Sequence, residues 1–258
     1  MLRFCANIGF LWPELSLIGR IDAAGRAGFR AVEMHWPYDV PAGAIAEAAQ
    51  RAGVVVTGLN TAPGDMAAGE FGLGALPGRE ADFEAAMADA LHYCRVTGAT
   101  MIHAMAGVVA ADETSSVTLI GNLGRAAAEA AREGVTLLLE PINPRDRSGY
   151  FYSRAEEGAA IIEAIGASNV RLLFDVYHVG VATGDVLRRL ERLMPVIGHV
   201  QIAAVPSRAE PDEGEIAYGA IFRALEQLGY DGWVGCEYKP RAETTEGLAW
   251  TERLGVSL

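Results

Sequence analysis

A chain of 258 residues, 51% of them hydrophobic, has enough apolar side chain for one large core. Its formal net charge of −12 argues against nucleic acid or an anionic membrane surface as a partner. No apolar run reaches the roughly 18 residues that a membrane span requires.

The opening MLRFCANIGFLWPEL has only a brief apolar run, broken by Asn7, Trp12, Pro13 and Glu14. It reads as a first strand (3–8) and a turn rather than a signal peptide. Further strand-like runs follow at 30–36 (RAVEMHW), 54–60 (VVVTGLN), 100–106 (TMIHAMA), 135–140 (VTLLLE), 170–175 (VRLLFD), 196–202 (VIGHVQI) and 233–238 (WVGCEY). Between them lie Ala-, Glu-, Arg- and Leu-rich segments such as FEAAMADALHYCRVTG, which suit amphipathic helices. Such alternation implies βαβ units and a parallel sheet. Eight units in this length average about 32 residues each, the figure for a (β/α)8 TIM barrel, here expected as one domain over 1–258. An open doubly wound sheet gives the same alternation, but no G-x-G-x-x-G follows the first strand and no P-loop is present. Cys5, Cys94 and Cys236 have no metal-type spacing and fit thiols in a reducing, cytoplasmic setting.

The connections differ by type. Helix-to-strand turns are short and built on Gly28, Gly53, Gly98, Gly134, Gly166 and Gly229. Strand-to-helix connections are longer and hold most of the prolines. Residues 61–78 form the longest, a glycine-rich stretch that reads either as a lid or as a disordered surface loop. Barrels of this type place their chemistry at that end of the strands.

Four polar residues break apolar runs at four consecutive strand ends: Glu140, Asp175, Gln201 and Glu237. In a closed barrel they lie side by side around half the rim. This all-oxygen set suits a hard divalent cation, Mg²⁺ or Mn²⁺, or no obligatory metal. Each one alone is as readily a buried structural polar residue. His178, three residues after Asp175, is placed to polarise a substrate oxygen or to pack in its loop. Arg208 either clamps a substrate carboxylate or pairs with Glu210, Asp212 or Glu213. Lys239 is a second anion contact or a solvated lysine, and Asn60 either reaches the pocket or shapes a turn. Glu33 lines the rim or serves the structure. His35, His92, His103 and His199 are read as structural.

The segments MLRFCANIGF, GDMAAGEFG, LLLEPIN, FDVYH, GHVQIA, R-x-E-P-x-x-GEI and GWVGCEYKP resemble the hydroxypyruvate isomerase family of xylose isomerase-like barrels over nearly the whole chain. The resemblance implies a metal site at Glu140, Asp175, Gln201 and Glu237, with Glu140 and Glu237 as the catalytic pair. It implies substrate contacts from His178 and Arg208. Two departures stand where the family carries histidines, at Leu59 and Pro144. The implied reaction converts hydroxypyruvate to tartronate semialdehyde by proton transfer through an enediolate. The rivals are a 2-oxotetronate isomerase, a ketose 3-epimerase, a lyase of 2-keto polyols, an endonuclease IV-like nuclease and a non-catalytic sugar-acid-binding barrel. The partner expected is a small hydroxy-oxo acid. Apolar positions on the outer helices leave room for a homo-oligomer without locating an interface.

Overall fold

The computed structural model describes residues Met1–Leu258. All eight expected strands form: β1 (Arg3–Asn7), β2 (Ala31–Met34), β3 (Val55–Asn60), β4 (Met101–His103), β5 (Thr136–Leu139), β6 (Val170–Asp175), β7 (Ile197–Ile202) and β8 (Trp233–Cys236). They pair in parallel and in chain order, and β1 pairs with β8, so the sheet closes into a barrel. Helices α1 (Leu17–Arg26), α2 (Ala42–Ala52), α3 (Glu80–Thr97), α4 (Glu113–Arg132), α5 (Ala155–Ile165), α6 (Val176–Ala182), α7 (Val186–Leu193) and α8 (Tyr218–Gln227) lie between strands, and two short helices end the chain. Gly53 and Gly98 close α2 and α3 in the left-handed conformation that spares glycine a Cβ clash. No helix is long and apolar enough to cross a membrane.

The run at 100–106 yields only three strand residues, because other partners take its later backbone. Met105 N–H donates to Thr61 Oγ1 (3.1 Å) and Ala106 N–H to the Tyr150 hydroxyl (2.9 Å). The 61–78 segment is ordered rather than disordered. Gly74 and Ala75 donate to the carbonyls of Met105 (3.0 Å) and Ala106 (2.7 Å), and Asn122 Nδ2 holds the Gly74 carbonyl (2.9 Å). Gly72 permits this approach: its φ is +112°, and a Cβ there would stand 2.6 Å from Met105 Cβ.

Side chains alternate across each strand, so residues two apart share the barrel interior. A lower inward layer holds Cys5, Glu33, Gly58, Met101, Leu138, Leu173, His199 and Gly235. Two residues further on, an upper layer holds Asn7, His35, Asn60, His103, Glu140, Asp175, Gln201 and Glu237. The lower layer is mixed and the upper layer is wholly polar. The opposite faces of the strands are apolar and pack on the helices. Phe4, for example, meets Phe222 and Trp250 edge to face at 5.4 and 5.6 Å.

Gly235 is the point where layers and packing conflict. A Cβ there would meet Glu33 Oε1 and come within 2.8 Å of Gln201 Cγ. Gly235→Ala should therefore cost about 1–3 kcal/mol by overpacking. Urea unfolding measures this, and an unchanged midpoint would refute the close approach.

Candidate active site

Five residues of the upper layer, His35, Asn60, His103, Glu140 and Glu237, line a cavity of about 550 Å³ at the carboxyl ends of the strands. Glu140, His178, Arg208, Glu237, Lys239 and Asn60 line it, whereas Asp175 and Gln201 do not: Gln201 lines a separate small cavity with Asn7 and Glu33, and Asp175 is buried beside His178. His35 and His103 line the main cavity too, which corrects their reading as structural. His103 Nδ1 lies 3.2 Å from Glu140 Oε2, and His35 Nε2 lies 3.6 Å from Glu237 Oε1. Each sits on its strand with the parity of the carboxylates, a signal present in the sequence. Leu59 and Pro144 do not line the cavity: Leu59 is buried in the core and Pro144 is exposed.

Glu140 and Glu237 are the first residues beyond β5 and β8, so the strand ahead of Glu237 stops one residue before it. Asp175 ends β6 and caps α6 with one oxygen, accepting from Tyr177 N–H at 2.8 Å. Glu237 is fully partnered. Asn7 Nδ2 donates to its Oε2 (2.8 Å) and an Arg208 NH2 donates to its Oε1 (2.8 Å). By contrast Glu140 Oε1, Asp175 Oδ2 and Gln201 Oε1 are buried without a hydrogen-bond partner.

Glu33 lies beneath this layer and explains its orientation. It accepts from Asn7 Nδ2 (3.0 Å) and Gln201 Nε2 (2.8 Å), and pairs with His199 Nε2 at 2.6 Å. Burial pushes its carboxyl pKa up, but the His199 ring and these hydrogen bonds prevail and hold it at about 2. Because the Gln201 amide nitrogen is turned to Glu33, its oxygen is turned away from it. Glu33 thus supports the site without lining the main cavity.

His178 has a defined tautomer. The backbone N–H of Asn143 donates to its Nδ1 (3.2 Å), so the proton sits on Nε2. That nitrogen stands 3.4 Å from Glu140 Oε1 and 3.6 Å from Asp175 Oδ2. Burial and the charge of Arg208 push its pKa well down, so the ring is a neutral donor. Arg208 does not pair with Glu210, Asp212 or Glu213; Arg241 takes those three at 2.9, 2.7 and 2.6 Å. Arg208 instead bridges Asp146 Oδ2 (2.8 Å) and Glu237. Its backbone is left-handed, with φ 59°, and is pinned by N–H to Ala204 O (2.8 Å) and by Lys239 N–H to its own carbonyl (2.7 Å). Asp146, Arg147, Phe71, Trp36 and Phe10 also line the cavity, each from beyond the end of a strand.

Burial, then the negative charges of Glu237 and Asp175, push the Glu140 carboxyl well above its ordinary range. Asp175 rises from 3.8 to about 7, through burial and the charge of Glu237, against the opposing pull of Arg208. A carboxyl raised in the folded state holds its proton more tightly there than in the unfolded chain. Its stabilising effect is complete below the unfolded pKa and is lost as pH rises through the folded one. Protein kept in a chelator should therefore lose stability, on the order of a few kcal/mol, between about pH 4 and pH 7. Asp175→Asn should flatten that slope; denaturant melts across pH measure both, and an unchanged slope would count against the burial of this charge.

Fold and site together define an enzyme barrel that buries carboxylates around a cavity sized for a small metabolite. The chain belongs to the xylose isomerase-like TIM barrel family, whose model matches residues 21–254. It is 47% identical to a 2-oxo-tetronate isomerase of Cupriavidus necator, across 97% of each chain. It is 36% identical to the hydroxypyruvate isomerase of Escherichia coli, across 98% of this chain and 99% of that one. A solved structure titled AP endonuclease, family 2, from Brucella melitensis superimposes with a TM-score of 0.94 at 39% identity, over 98% of this chain and 99% of that chain.

Proposed function

We propose that this protein is an aldose–ketose-type isomerase of small hydroxy-oxo acids, acting on hydroxypyruvate to give tartronate semialdehyde. One observation carries the reading: Glu140 and Glu237 reach one cavity from the ends of β5 and β8, beside His178 and Arg208, and Glu140 Oε1 is buried without a hydrogen-bond partner.

The difficult step is removal of a proton from the carbon beside a carbonyl. One glutamate takes the C3 proton and an acid returns a proton to C2, while the carbonyl moves from C2 to C3. Negative charge builds on the two oxygens of the enediolate. His178, a neutral Nε2–H donor, is suited to one of them. Arg208 and Asn7 fix the orientation of Glu237, and His103 Nδ1 stands 3.2 Å from Glu140 Oε2. The aromatic wall of Phe10, Trp36 and Phe71 limits water, which would otherwise quench the intermediate.

The residues fit a divalent cation. Three buried oxygens without partners, on Glu140, Asp175 and Gln201, support the expected set, and Glu140, Asp175 and His178 bring ligand atoms within 4.8 Å of one another. Mg²⁺ or Mn²⁺ held by these four residues would supply positive charge to the enediolate oxygens. Titration with Mn²⁺ should show one bound ion, with affinity reduced at least about tenfold in Asp175→Asn; equal affinity in that variant would sink the ligand set.

A second substrate is favoured by a specific observation. The 47% identical relative is named for 2-oxo-tetronate, and a cavity of about 550 Å³ leaves room for a fourth carbon. A nuclease reading is disfavoured by the net charge of −12 and by a concave cavity in place of a basic groove. An epimerase or lyase would share the enolate step and differ in product.

Proton NMR in D₂O decides the matter. Hydroxypyruvate should gain deuterium at C3 and yield tartronate semialdehyde, with EDTA reporting any metal requirement. Glu237→Gln should keep the fold and lower turnover by about 10³-fold or more. A near-normal rate in that variant would remove Glu237 from the catalytic pair, and ligand binding without exchange would favour a non-catalytic barrel.

A further inference from the structure

The proposed substrates are anions, and three cationic side chains line the cavity: Arg208, Lys239 and Arg147. They are not equivalent. Arg208 already spans two carboxylates, Asp146 and Glu237, at 2.8 Å each. A guanidinium so placed carries no surplus charge for a third carboxylate. Lys239 is exposed, with its Nζ 5.8 Å from the Phe10 ring centre, where water screens it.

Arg147 differs from both. It is half-buried, its Nε is buried without a hydrogen-bond partner, and it pairs with no carboxylate. Its guanidinium carbon lies 3.9 Å from the centre of the Phe71 ring. A planar cation over an aromatic face is held by that contact while its N–H donors, in the plane, stay available. The platform is firm. Phe71 meets Trp36 edge to face at 5.8 Å, and the adjoining Gly72 donates to Pro63 O at 2.7 Å. The Arg147 backbone is fixed by its N–H to Asn143 O (3.1 Å), the residue that also sets the His178 tautomer.

We propose that Arg147, laid on Phe71, is the receptor for the substrate's carboxylate and gives this cavity its preference for oxo acids over neutral keto sugars. This inference rests on the isomerase reading of the same site. The fork of a guanidinium matches a carboxylate with two parallel hydrogen bonds, which a lysine cannot reproduce.

The test compares wild type with Arg147→Leu, Arg147→Lys and Phe71→Ala, each checked for an unaltered melting temperature. Arg147→Leu should raise KM for hydroxypyruvate about 10- to 100-fold, the loss of a charged hydrogen-bonded pair, with kcat within a few-fold. Arg147→Lys should recover part of the loss, and Phe71→Ala should raise KM a few-fold. Inhibition by dihydroxyacetone, the uncharged counterpart, should be the same in Arg147→Leu as in wild type. An unchanged KM in Arg147→Leu overturns the proposal, and so does equal weakening toward acid and neutral compound. Calorimetric binding of glycerate, which cannot isomerise, separates this inference from the reading beneath it. Wild type that binds glycerate through Arg147 but turns over no hydroxy-oxo acid contradicts the isomerase reading alone. Glycerate affinity equal in wild type and Arg147→Leu contradicts the receptor.

Discussion

The carboxylate of Glu33, buried beneath the cavity, is the constraint on which the upper barrel depends. A charge so enclosed must collect donors, and it collects four, from Asn7, His199, Gln201 and the Cys5 thiol. The bonds from Gln201 and Asn7 have consequences above. The Gln201 oxygen is left without a partner at the level of Asp175 and Glu140. Asn7 Nδ2 is shared between Glu33 and Glu237, so the second carboxylate is oriented through the first. Space for this arrangement comes from the absent side chain at Gly235. The acidic site is thus assembled largely from amide and imidazole donors, with one guanidinium, Arg208, entering from a loop.

The barrel and half of its rim were legible in the chain. Glu140, Asp175, Gln201 and Glu237 stand out because each is a polar exception in an apolar run, and strand alternation then puts all four in one layer. The same parity applied to the first four strands points to Asn7, His35, Asn60 and His103. His35 and His103 were hidden by the ordinary preference of histidine for structural roles. Glu33 was legible as a strand-end carboxylate, but its role depends on contacts across the barrel with β1 and β7, which no local pattern encodes.

Loop residues were a different matter. Arg208 pairs with Asp146, 62 residues away, although Glu210, Asp212 and Glu213 are its near neighbours in sequence. Those acids go to Arg241, and the left-handed turn at Arg208 sends its side chain the other way, into the cavity. Arg147 and Phe71 come from separate strand-to-helix connections and meet only because the 61–78 segment is tied along the one that follows β4. Sequence periodicity has nothing to say about such encounters, which is why the fold and its carboxylate floor could be read and the cavity's walls could not.

An anchor at the substrate's carboxylate also accounts for two relatives whose names differ in chain length. In hydroxypyruvate and in 2-oxo-tetronate the proton moves between C2 and C3, counted from the same carboxylate carbon. If Arg147 holds that end, the reacting carbons fall at one distance from it in both acids, between Glu140 and Glu237. The additional carbon of the longer acid then projects beyond C3, away from the anchor. Chain length would then be decided by the space at that far end, with the proton-transfer geometry unaffected by it. On the proposed reading, a single arrangement of base, acid and guanidinium would suit a short series of 2-oxo acids, and selection among them would fall to the cavity wall opposite Arg147.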